Sequence, residues 1–141
     1  MPTLLTRQAA ASLEQRPACN FSEPSQNVLV EQQVTLEELK KRCARYKELL
    51  ASLQPPQDQS MIRAANFTSE SVLRMLQQNP QSTFIRVYYG IDAQGEHLLF
   101  MAPVTNTASL AAEEDTLYVE ACCACPPLRN CPADELLEEN Q

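Results

Sequence analysis

Thr83-Phe84-Ile85-Arg86-Val87-Tyr88-Tyr89-Gly90-Ile91-Asp92-Ala93-Gln94-Gly95-Glu96-His97-Leu98-Leu99-Phe100-Met101-Ala102-Pro103-Val104 carries the pattern of a β-hairpin. From Phe84 to Ile91 the residues alternate with period two, which sends successive side chains to opposite faces of a strand. Ile85, Val87, Tyr89 and Ile91 share one face, and these β-branched and aromatic residues suit a pleated surface. That apolar face is expected to form the core. Phe84, Arg86, Tyr88 and Gly90 share the other, and Arg86 reads as a solvated charge lying over two rings. Asp92 to Glu96 breaks the alternation, and Gly95 supplies the positive φ of a short hairpin connection. Leu98 to Ala102 is a nearly continuous apolar run, as in a central strand covered on both faces. Pro103 has no N–H to give to a ladder and is expected to end regular pairing.

Working outward, Phe67-Thr68-Ser69-Glu70 opens a helix over 69–78. Thr68 is its candidate N-cap, and Phe67 with Val72 forms a hydrophobic staple. Asn79-Pro80 ends it. Residues 54–66 read as linker, with Met61 and Ile62 as anchors. A longer helix is expected over 35–53. Thr35 and Glu38 form a capping box, and Leu36, Leu39, Cys43, Tyr46, Leu50 and Leu53 make one apolar stripe. That stripe reads as core-facing, with a helix-mediated homodimer as the alternative. Lys40, Lys41, Arg42, Arg45 and Lys47 are interleaved with glutamates, so they read as a solvated face. After the hairpin, Thr116 to Ala121 reads as a third strand. Residues 1–33 are polar and read as a mobile arm, with a candidate helix from Leu4 to Gln15 and a candidate edge strand at Val28 to Val30.

The whole is expected to be a small α+β domain over 34–121. Its three-stranded, mainly antiparallel sheet spans 84–91, 97–103 and 116–121, with both helices on one face. The arm at 1–33 and a cysteine-rich acidic tail at 122–141 flank it. Ile85, Val87, Tyr89, Leu99, Phe100, Leu39, Leu50, Leu73 and Leu76 form the expected core.

A Phe67-Thr68-Ser69-Glu70-Ser71 helix start, then Ile85-Arg86-Val87-Tyr88-Tyr89-Gly90-Ile91-Asp92, an apolar strand and the Cys125-Pro126-Pro127 tail resemble a group of small bacterial proteins without an assigned activity. The resemblance runs from Thr35 to Cys131, with Ile85 to Asp92 its most specific part. It implies the α+β fold and a bacterial origin, and no reaction. Ala102 to Asn106 departs from the group, whose second strand runs into a turn containing Gly and Asp.

Composition narrows the function. The 141 residues are one domain's length, with a net charge of −7. An acidic chain has no electrostatic reason to hold nucleic acid or an anionic membrane. Only Gly90 and Gly95 are glycine, which rules out a Gly-rich phosphate loop, and His97 is the single histidine. No apolar run approaches the roughly 18 residues of a membrane span. No signal peptide is recognised, so a cytoplasmic protein with reduced thiols is expected.

Four cysteines close the reading: Cys122, Cys123, Cys125 and Cys131. Cys122, Cys125 and Cys131 are the candidate zinc ligands, with Cys123, Cys43 or His97 as the fourth. The same C-x-x-C spacing suits a disulfide or a thiol-redox site. Idle or structural thiols are the plainer reading, with Cys43 a small core hydrophobe and Cys19 incidental. With no nucleophile elbow and no histidine pair, no catalytic residue is assigned and no cofactor beyond zinc. The chain is expected to be a non-enzymatic module for an unidentified protein partner or a second copy. A zinc-binding or thiol-redox protein is the alternative.

Overall fold

The computed structural model describes residues 1–7, 29–105, 116–126 and 136–137. In chain order the elements are β1 (Thr3–Arg7), β2 (Leu29–Gln33), α1 (Leu36–Ser52), β3 (Ala64–Asn66), α2 (Ser69–Gln78), β4 (Phe84–Ile91), β5 (His97–Val104), β6 (Val119–Glu120) and β7 (Cys123–Cys125). The fold is mixed α+β, with antiparallel pairing throughout the described strands.

Local chemistry starts both helices where the sequence places them. The Thr35 hydroxyl accepts from the Glu38 N–H at 3.0 Å, and the Thr68 hydroxyl from the Ser71 N–H at 3.2 Å. Each satisfies an N–H that has no partner inside its helix. At the end of α2 the buried Asn79 amide donates to the Met75 carbonyl at 2.8 Å, pairing one of the last orphan carbonyls.

The strands form three sheets, where one was expected. The largest has the order β4-β5-β6, and β1–β2 and β3–β7 are separate pairs. The helix expected from Leu4 to Gln15 is overturned at its start, since Leu4 to Arg7 lie in β1 opposite Gln32 to Leu29. Gln8 to Gln15 lie outside the described residues. The third strand is shorter than expected, only Val119 and Glu120, paired with Met101 and Phe100.

Pro103 does not end β5. It pairs in register with Ile85 and is fully buried. The direction of its nitrogen explains this. The Ala121 N–H donates to the Leu99 carbonyl at 2.9 Å, so odd-numbered residues of β5 turn their backbone groups towards β6. Beside Pro103 that neighbour has already ended, and no ladder bond is lost.

The core sits elsewhere than expected. Among the described residues the buried apolar side chains are Val34, Leu50, Ile62, Met75, Ala102, Val104, Val119 and Leu137, together with Pro103 and Pro126. Of the expected set only Leu50 is fully buried; Leu39, Leu76, Leu99 and Phe100 are half-buried. Leu73 is 57 % exposed, because α2 turns Met75 inward instead. Ile85, Val87 and Tyr89 are also exposed, which inverts the expected orientation of β4.

Candidate functional site

Pairing with β5 sorts the side chains of β4 into two faces. Residues directly opposite one another share a face of an antiparallel sheet. Phe84, Arg86, Tyr88 and Gly90 lie opposite Val104, Ala102, Phe100 and Leu98. β5 is buried on both faces, at Ala102 and Val104 on this one and at Pro103 on the other, whereas β4 is half-buried on this face and exposed on the other, so this is its inner face. Tyr88 stacks on Phe100 with ring centroids 5.2 Å apart. A Cβ at Gly90 would meet Leu98 Cδ1 at 3.4 Å and Phe100 Cε1 at 3.6 Å, ordinary contact distances, so packing on this face does not require glycine there. Arg86 is half-buried on this side and is not a fully solvated charge.

The other stripe faces out. Ile85 is 40 % exposed, Val87 51 %, Tyr89 43 % and Ile91 63 %. The same four residues also hold the strand's outward backbone groups. The Asp92 N–H donates to the Glu96 carbonyl at 2.9 Å. Bonded and non-bonded pairs alternate in an antiparallel ladder, so even-numbered residues of β4 bond to β5. Ile85, Val87, Tyr89 and Ile91 point their N–H and C=O groups to the outer edge. Among the described residues no strand occupies that edge. A long apolar edge without Pro or Lys is a template for another strand.

One end of the stripe is anchored. The Tyr89 hydroxyl accepts the Ile62 N–H at 3.0 Å and lies 2.8 Å from His97 Nδ1. The two rings meet edge to face at 5.4 Å. Buried Ile62 thus reaches over the sheet to hold Tyr89, leaving Val87 and Ile91 the more open positions.

The hairpin tip behaves as its residues suggest. Gly95 has φ 86°, and Asp92 Oδ1 accepts from the N–H groups of Gln94 and Glu96, both at 2.9 Å. Asp92 is therefore a turn former.

The cysteine region lies beside this tip. Cys123 pairs with Asn66, and Cys125 with Ala64. The Cys122 thiol donates to the Asn66 carbonyl at 3.2 Å, while the Asn66 amide reaches Cys123 Sγ at 3.5 Å. A cleft of about 170 Å³ is lined by Asp92, Glu96, His97, Glu120, Cys122 and Cys123, among others. Cys122 and Cys123 are free thiols, as is Cys43 on α1, whereas Cys125 is disulfide-bonded. Cys131 lies outside the described residues. Among the described residues, no three His, Cys, Asp or Glu side chains gather where they could hold a metal ion. The candidate ligands Cys43, Cys122, Cys123, Cys125 and His97 are not gathered into such a group, and Cys125 in its disulfide is not a thiolate. His97 instead turns Nδ1 to the Tyr89 hydroxyl.

The sequence led to the cysteines and misassigned the strand edge. Its one signal for the edge was the mixed inner face, where Phe84 and Tyr88 bracket Arg86 and can bury as much as the aliphatic stripe. None of the described helices is long and apolar enough to cross a membrane. No family model, no curated protein and no solved structure matches this chain.

Proposed function

We propose that this chain is a non-enzymatic interaction module that takes up a partner strand along the outer edge of β4. The observation that carries the reading is the coincidence, in Ile85, Val87, Tyr89 and Ile91, of exposed apolar side chains with outward backbone groups. Strand addition uses both: main-chain hydrogen bonds supply affinity, and alternate side chains supply specificity. The net charge of −7 directs the module to protein rather than to nucleic acid or an anionic membrane. Val87→Lys tests it. The variant is expected to melt cooperatively, within about 0.5 kcal/mol of the parent as for a surface change, and to bind less of a fluorescent dye specific for apolar surface. A variant that unfolds would return the stripe to the core and end the reading.

A second reading rests on the sulfur chemistry. A disulfide at Cys125 three positions from the free thiol of Cys122 favours thiol–disulfide exchange, through Cys122, Cys125 and Cys131, over zinc binding. Zinc needs thiolates, so that alternative requires prior reduction. Zinc titration of reduced and unreduced protein separates the two: uptake only after reduction supports zinc, and none in either state removes it. A persistent disulfide also belongs to an oxidising compartment, which weighs against placement in the cytoplasm.

A further inference from the structure

Resting on the reading of β4 as a docking edge, we infer that its occupant is β4 of a second copy, paired antiparallel about a two-fold axis. Length argues first. β4 has eight residues, whereas the opposite edge of its sheet, β6, has two. A neighbour's β6 is too short to cover β4, so copies do not chain head to tail. A two-fold pairing of like edges closes on itself and leaves only short edges outside.

Parity argues next. A two-fold axis perpendicular to the sheet keeps every side chain on its own face, so odd-numbered residues must meet odd-numbered ones. Those residues also carry the outward N–H and C=O groups. With the axis at Tyr88, Ile85 lies opposite Ile91 of the second copy and Val87 opposite its Tyr89. Every outward backbone group of the four residues then finds a partner, and each exposed side chain gains an apolar neighbour about 5.5 Å away between Cα atoms.

Charge agrees. Arg86 is the only charged residue within β4, and Asp92 follows the strand on the same face. In this register Arg86 lies opposite Gly90 of the second copy and diagonal to its Asp92, about 7–8 Å away and within reach of a long side chain. The glycine leaves the guanidinium a path across. The symmetry makes this contact twice, and no like charges are opposed in the strand pair.

Sedimentation equilibrium of the full chain over a concentration series, with amide hydrogen exchange at both ends of that series, tests the inference. The expected result is a reversible dimer in which the Ile85, Val87, Tyr89 and Ile91 amides lose protection on dilution. Those of Arg86, Tyr88 and Gly90 stay protected. Val87→Pro removes an N–H that the β4–β5 ladder does not use, so it is expected to abolish the dimer and preserve the melt. The exchange pattern of the parent decides the matter even if that variant fails to fold. A dimer without this alternating change in protection overturns the inference. A monomer whose outer amides exchange freely also overturns it and leaves the docking edge standing for another partner. A monomer whose outer amides are protected overturns both.

Discussion

At Cys125, redox state decides which chemistry is open. The residue is disulfide-bonded while Cys43, Cys122 and Cys123 are free. Alkylation before reduction is expected to label those three and to spare Cys125, which labels only after reduction. Peptide mapping of the unreduced chain then assigns its partner. Cys125→Ser is expected to cost about 2–5 kcal/mol, the usual loss for a native disulfide in a small domain, read from a denaturant titration. Labelling of Cys125 in the native, unreduced protein would refute the assignment. Glu38 shows a second local effect. Arg42 donates to its carboxylate at 3.0 Å, and Arg45 lies 3.5 Å away. The hydrogen bond from Arg42 is the main cause holding the Glu38 carboxyl below its ordinary value, and Arg45 adds to it. A lowered carboxyl pKa adds stability above the unfolded value and loses it as pH falls through the folded one. The pair is exposed and screened, so NMR titration of Glu38 is the proper readout. Arg42→Ala is expected to raise its midpoint towards that of a free glutamate; an unchanged midpoint would remove Arg42 as the cause.

Among the elements, α2 and β4 illustrate how little of a pattern is needed to start an element and how much more is needed to orient it. The Thr68 cap acts within α2 alone. Thr68→Ala is expected to cost about 1 kcal/mol in a denaturant melt without moving β4. No loss would mean that water replaces the hydroxyl fully. β4 depends instead on its neighbour. Its half-buried face is the one on which Phe84, Arg86 and Tyr88 lie opposite Val104, Ala102 and Phe100. Ser82 reinforces that end: its hydroxyl donates to the Phe84 carbonyl at 2.9 Å and lies 3.3 Å from the Val104 N–H.

Over the whole molecule, burial is concentrated at a few positions that sequence patterns do not mark. Met75 is completely buried, whereas Leu73 beside it is exposed. Met75→Ala is expected to cost about 2–5 kcal/mol through lost transfer energy and the cavity left behind, while Leu73→Ala stays within about 0.5 kcal/mol as a surface change. Equal losses would contradict the placement of α2. Exposed apolar residues are otherwise spread widely: Leu36, Tyr46 and Leu49 on α1, Leu53 just after it, and Leu5, Leu29 and Val30 on the β1–β2 pair. The stripe on β4 differs from these in carrying outward backbone groups along an unoccupied strand edge.

What the sequence determined by itself is what a few neighbouring residues decide together. Thr35 and Thr68 cap helices because a hydroxyl reaches an N–H three residues on. Asp92 and Gly95 make the turn because a carboxylate and a positive φ close it locally. The two strands of the hairpin follow from that turn and the alternation on either side. What only the tertiary structure decided depends on residues far apart in the chain. Period two is the same whichever face is inward, so Ile85 and Tyr88 could not be ranked until folding left the first exposed and stacked the second on Phe100. The pairing of Thr3 with Gln33 and of Asn66 with Cys123 is likewise set across long separations. So is the choice of Met75 over Leu73. Local hydrogen bonds need only the adjacent chain, whereas burial is a property of what else arrives to exclude water.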